Sequence, residues 1–200
     1  MTHQPVMETI TKRRSIRRFA AESINREQIE TILEAGRQAP SGKNKQPWRF
    51  VVIESSEAKE QLYEVMQKGN DAFAERFGEA NLGSARGTLR AMRESGFTVL
   101  VVSPDIPHPI ANEGSEEKPM QIGDIVDLQS IGAAIQNMIL AAWEMGIGSL
   151  WICDTFFSYP DLVSHYQLEG LLVAAVSFGI AAEEPAARPR KPMQEIVSWL

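Results

Sequence analysis

Five cations fall within seven positions at residues 12–18, Lys-Arg-Arg-Ser-Ile-Arg-Arg, and Arg188, Arg190 and Lys191 stand together near the other end of the chain. A hydroxyl set among guanidinium groups, here Ser15, offers the mixed donors that suit a bound phosphate. A plainer reading has Lys12, Arg13 and Arg14 closing a first helix, where cations favour the negative end of the dipole. A cationic run also suits an RNA contact or a localisation tag. The whole chain is acidic, with 20 Lys and Arg against 26 Asp and Glu and a net charge of −6. That balance argues against sequence-blind nucleic-acid binding, which rests on neutralising phosphates.

Other chemistries are poorly supplied. His3, His108 and His165 have no metal-ligand spacing and read as a disordered end and two surface positions. Cys153 is the one cysteine, and Asp154 beside it opposes thiolate formation. A Gly-x-Ser-x-Gly elbow, a P-loop and a Gly-x-Gly-x-x-Gly turn are all missing. Gly146-Ile-Gly148 lies between a helix and a strand, the reverse of the dinucleotide-binding order. A phosphate-sized cationic site without an evident acid, base or metal suits an organic cofactor that brings its own reactivity.

These residues need a frame. Two hundred residues with 44% hydrophobic content make one domain, 1–200, with a sizeable core. One cysteine and no apolar leader core point to the cytoplasm, and the chain is read as having no membrane contact. Apolar spacing predicts a helix over 6–14, an extended segment over 16–19 and a helix over 26–38 capped by Asn25. Residues 40–47 read as a loop, and 49–53 as a buried strand. Helices follow over 56–68 and 84–95, around a poorly patterned stretch at 69–83. Strands are expected at 98–103, 149–152 and 171–178. Residues 104–120, with four prolines and the charged cluster from Glu113 to Lys118, read as a long surface loop or lid. Ile131, Ala134, Ile135, Met138, Ile139 and Ala142 give the helix over 124–145 a band broad enough for a core or a subunit interface. Helices first, then strands separated by unequal helices, is mixed α and β without doubly wound alternation.

Four segments in order carry a resemblance: Arg13-Arg-Ser-Ile-Arg17, Ala39-Pro-Ser-Gly-Lys-Asn-Lys-Gln-Pro-Trp48, Gly146-Ile-Gly-Ser-Leu-Trp-Ile152 and Arg188-Pro-Arg-Lys-Pro192. Together they resemble the nitroreductase family of flavoproteins over nearly the whole chain. The resemblance implies an α+β fold, with a central mixed sheet flanked by helices, and an intertwined homodimer that buries FMN between subunits. It places Arg13, Arg14, Ser15, Arg188 and Arg190 at the phosphate and ribityl chain, and Arg17 near flavin N1 and O2. Pro40, Ser41, Gly42 and Asn44 match the loop that the second subunit brings to the flavin. Trp151, Ile152, Cys153 and Asp154 match the segment behind the ring and its N5 and O4. Arg90 and Arg93 both stand near the end of a middle helix, and either is open as a further contact. For Trp48, ordinary core packing is the preferred reading.

The activity so implied is a two-electron transfer from NADH or NADPH, through flavin N5, to a nitroaromatic, a quinone or another electron-poor small molecule. It would be ping-pong, with no protein side chain as the reactive centre. Enone reduction, reductive dehalogenation or flavin destruction would keep the cofactor and change the task. A non-enzymatic FMN carrier is the rival from another class.

Overall fold

The computed structural model describes residues 5–108 and 120–200. Four strands form one antiparallel sheet in the order β1-β2-β4-β3. They are β1 (Arg49–Ile53), β2 (Phe97–Ser103), β3 (Ile147–Ile152) and β4 (Leu171–Ile180). The helices are α1 (Pro5–Lys12), α2 (Arg26–Arg37), α3 (Ser56–Phe77), α4 (Ala85–Glu94), α5 (Ile122–Glu144), α6 (Tyr159–Tyr166) and α7 (Met193–Ile196).

The sheet separates two cores, because successive strand residues point to opposite faces. Phe97, Val99 and Val101 of β2 face α2 and α5, with Ile29, Ile32, Ile131, Ile135 and Met138. Leu100 and Val102 face α3, α4 and α6, with Leu62, Met66, Leu89, Met92 and Leu162. The broad band of α5 is therefore core: Ile131, Ala134, Ile135, Met138, Ile139 and Ala142 are all buried. Only its first turns lift clear, leaving Ile122, Ile125 and Val126 exposed. By length and composition α5 would also cross a membrane, but here its band packs on the sheet. Trp48 is half-buried against the same core, as expected.

Local signals set the helix ends. Asn25 Oδ1 accepts from Gln28 N at 2.9 Å, and Gln28 Oε1 accepts from Asn25 N at 3.1 Å, a reciprocal capping box that starts α2. Ser55 Oγ accepts from Ala58 N at 3.1 Å and starts α3. Gly146 at φ +76 ends α5 in a left-handed turn that few other residues adopt cheaply.

Some expectations are corrected. The third helix does not stop near residue 68 but runs to Phe77, where Gly78 at φ +91 ends it. Tertiary contact supplies what the pattern lacks: Phe73 packs on Phe157 with ring centroids 4.6 Å apart. Helix α6, with Pro160 in its first turn, is short and carries little periodicity. His108 is not a surface residue. It is half-buried, with Nδ1 2.9 Å from the Tyr159 hydroxyl and Nε2 3.1 Å from the Leu168 carbonyl. His165 is exposed as expected, while His3 and the Glu113–Lys118 cluster lie outside the described residues.

The segment after α1 brings the chain ends together. Ser15 forms a parallel bridge with Ser149 of β3, the one parallel pairing among the described residues, and Ile16 N donates to Ser149 O at 2.9 Å. Phe19 bridges antiparallel to Ala181, with Ala20 N donating to Ile180 O and Ala182 N to Arg18 O, both at 2.9 Å. Two glycines paired across β3 and β4 make room for this. A Cβ on Gly148 would lie 2.7 Å from Ile16 Cγ1, and one on Gly179 2.7 Å from Phe19 Cδ1. Both Ile16 and Phe19 are buried in this notch.

Candidate functional site

The two bridges continue into a cleft of about 490 Å³. Its walls are Ile10, Thr11, Arg13, Arg14, Ser15 and Arg17 from one end of the chain, and Pro185–Ala187, Arg188 and Arg190 from the other. Five arginines line it and no carboxylate does. Six of the fourteen residues singled out from the sequence meet here, across some 175 residues of chain.

The cleft's charge is unanswered. Among the described residues, Arg13, Arg17, Arg188 and Arg190 form no ion pair. Arg14 Nη1 turns back to the carbonyls of Thr11, Lys12 and Arg13 at 2.8–2.9 Å, so this residue also caps α1. Burial lowers the Arg13 pKa from its ordinary value, and the charges of Arg190 and Arg14 lower it further. Crowded cations without a counter-charge are held together only by the fold, and an anion relieves the repulsion. The donor set fits the phosphate and ribityl end of FMN. Proline at 185, 189 and 192 keeps the second wall from turning helical.

The other candidates sit elsewhere on the chain. Pro40, Ser41, Gly42 and Asn44 belong to a loop stapled to α5. Gly42 N donates to Ser130 Oγ at 3.3 Å, and Ser41 Oγ accepts from Gln46 N at 3.0 Å. A Cβ on Gly42 would lie 2.5 Å from Val126 Cγ1, so the loop approaches α5 as closely as glycine allows. Lys43, Asn44 and Gln46 all have positive φ, near +52 to +56, each costing roughly 1 kcal/mol or more. Lys45 anchors this strained turn by pairing with the buried Asp127 and, at 3.2 Å, with Asp105. The hydrogen bond to Asp127 raises the Lys45 pKa and keeps the anchor charged. None of these loop residues lines the cleft.

Trp151, Ile152, Cys153 and Asp154 run from the end of β3 into the following turn, just beyond the Ser15–Ser149 bridge. Trp151 is 40% exposed, Ile152 is buried and the Cys153 thiol is free and exposed. Asp154 Oδ2 accepts from Thr88 Oγ1 at 2.7 Å and Ser84 Oγ at 3.1 Å, locking the strand end to the start of α4. Arg93 grips Glu60 at 2.8 and 2.9 Å and stacks over the Tyr63 ring, and Arg90 lies 3.8 Å from Glu94. Neither lines the cleft.

One residue escaped the sequence reading. Glu183 Oε1 accepts from the backbone N–H of Arg17 and of Arg18, the latter at 3.1 Å. The only signal available was an acidic pair, Glu183-Glu184, between the last strand and the basic tail.

Comparison with known proteins gives the family. The chain is similar to YfhC of Bacillus subtilis (strain 168), whose name assigns it to the NAD(P)H nitroreductases, at 26% identity over 96% of this chain and 93% of that one. It is 30% identical to an iodotyrosine deiodinase of Thermotoga neapolitana, over 93% of this chain and 92% of the relative. A nitroreductase-type protein of Desulfovibrio desulfuricans, solved in complex with FMN, superposes with a TM-score of 0.72 at 29% identity, covering 98% of this chain and 96% of that one. The family model described as Nitroreductase family matches residues 10–180, and the chain belongs to that family.

Proposed function

We propose that this protein is an FMN-dependent oxidoreductase that takes two electrons from NADH or NADPH and delivers them to a small electron-poor acceptor. The observation that carries the reading is the cleft where arginines from both chain ends converge with no carboxylate among them. Arg13, Ser15, Arg188 and Arg190 bind the phosphate and ribityl chain, with Arg14 adding charge while it caps α1. Charge-assisted hydrogen bonds to phosphate are among the stronger polar contacts a protein makes. FMN, when bound, supplies two-electron chemistry at flavin N5. Arg17, exposed at the cleft margin, holds positive charge that favours the reduced anion. The turn from Trp151 to Asp154 backs the ring, held in place by Thr88 and Ser84.

A homodimer completes the site. The loop from Pro40 to Asn44 lies outside the cleft of its own chain, and in this reading it reaches the site of the second subunit. Apolar side chains left bare on α1 (Val6, Met7), on the first turn of α5 (Ile122) and at Trp199 favour burial between subunits. Donor and acceptor occupy the same place in turn, so double-reciprocal plots at several donor concentrations should be parallel.

Anaerobic titration of the purified protein with NADH and then NADPH tests the reading. Yellow protein bleached by one or both donors is expected; colourless protein that takes up no added FMN would end it. Bound flavin that neither donor reduces would make the protein a carrier. Likeness to the Thermotoga deiodinase makes reductive dehalogenation the second reading. An acceptor panel of a nitroaromatic, a quinone and a halogenated phenol separates the two.

A further inference from the structure

Glu183 stands three residues beyond β4, half-buried, beside a cleft that holds five arginines. A carboxylate there would be expected to pair with a guanidinium, yet none lies within ion-pair distance among the described residues. Its Oε1 instead accepts from two successive backbone amides, Arg17 N and Arg18 N. The Ala182 N to Arg18 O bond, at 2.9 Å, stands directly beside it. Beyond that bond, Glu183 is the one polar side chain among the described residues that ties the outgoing chain to residues 15–18.

We propose that Glu183 is a positioning residue: it clamps the chain leaving β4 onto the 15–18 segment and so sets where Arg188 and Arg190 enter the cleft. This rests on the FMN reading given above. Six residues, two of them proline, separate Glu183 from Arg190, so displacement at the clamp carries along a stiff segment. Arg190 lines the same cleft as Arg13, from the opposite wall, so the tail is delivered to one place. Because the carboxylate bonds backbone N–H groups, the guanidinium groups stay free for an anion.

Fluorescence titration with FMN tests the clamp. Glu183→Ala should weaken FMN about tenfold, the scale of losing a charge-assisted hydrogen bond. Glu183→Gln keeps an acceptor oxygen and should stay within about threefold of the parent, since the clamp needs an acceptor more than a charge. In an Arg188→Ala/Arg190→Ala background, Glu183→Ala should add less than about twofold, because residues acting through one another are not additive. An unchanged affinity in Glu183→Ala, a tenfold loss in Glu183→Gln, or a full tenfold loss in the double-arginine background would each overturn the proposal. Limited trypsin digestion without FMN reads the clamp separately from the cofactor. Cleavage after Arg190 should be several-fold faster in Glu183→Ala than in the parent, and equal rates would also overturn it. A parent protein that binds no FMN would defeat the cofactor reading and leave the digestion result to judge the clamp.

Discussion

Arg37, Arg86 and Arg93 each hold a carboxylate in a forked grip, whereas Arg13, Arg17, Arg188 and Arg190 hold none among the described residues. Arg86 binds both oxygens of Glu79 at 2.9 and 3.0 Å and reaches Asp71 at 2.6 Å. Arg93 binds both oxygens of Glu60, and Arg37 both of Glu34. An acidic chain has more than enough carboxylates to pair every arginine, so the bare cations are not a shortage. No carboxylate lines the cleft, and the one beside it, Glu183, is taken up by backbone N–H groups. Paired arginines on an exposed surface serve the local structure, and unpaired ones gathered in a cleft await a charge from outside the chain.

The largest expected effect tests the unpaired set. Arg188→Ala/Arg190→Ala should weaken FMN about 100-fold, since each hydrogen bond to a charged group contributes roughly 1.5–3 kcal/mol. Riboflavin, which lacks the phosphate, should bind the variant and the parent equally in the same fluorescence titration. Equal loss for both flavins would place these arginines away from the phosphate. Next, Arg17→Ala should change affinity little and move the flavin midpoint potential about 30 mV more negative, equivalent to roughly 1.4 kcal/mol for a two-electron couple. Spectroelectrochemistry reads that directly, and an unchanged potential would remove Arg17 from the flavin's electrostatic environment.

The paired set should respond oppositely. Arg86→Ala and Arg93→Ala should each cost less than about 1 kcal/mol in urea unfolding, because both pairs are well exposed and screened, and neither should alter FMN affinity. The smallest effect belongs to Glu34. Hydrogen bonds from Arg37 and Gln38 lower its pKa from 4.5 to about 2. Any stabilisation from this pair is therefore present above the ordinary carboxylate range and lost as pH falls from about 4.5 through about 2. Arg37→Ala should return the Glu34 titration, followed by NMR, towards its ordinary value.

Much of this arrangement could be read from the chain. Strand β1 and helix α2 carry their own limits, a Val-rich run in one and the Asn25–Gln28 cap in the other. The two cationic clusters were legible because clustering of charge survives without a structure. The paired arginines were not: Glu60 and Arg93 lie 33 positions apart, and only the packing of α3 on α4 makes them neighbours. For the same reason Arg93 looked as good a flavin contact as Arg90. Glu183 was invisible because backbone N–H groups, which every residue but proline offers, are what it recognises. The end of α3 was missed because Phe73 is held by Phe157 from a distant turn. The notch at Gly148 and Gly179 has no sequence signal of its own, and only the seated Ile16 and Phe19 reveal it.

That the cleft has one wall near residue 13 and the other near residue 190 bears on when it comes into being. During synthesis from the N-terminus, all four strands are made before Arg188 and Arg190 emerge. A chain cut or halted around residue 185 would keep every strand of its sheet and hold half a cleft. If these arginines hold FMN as proposed, cofactor retention would report on the integrity of residues 185–200, which are largely exposed. On that proposal, colour would separate whole molecules from clipped ones in a preparation that looks uniform by its fold.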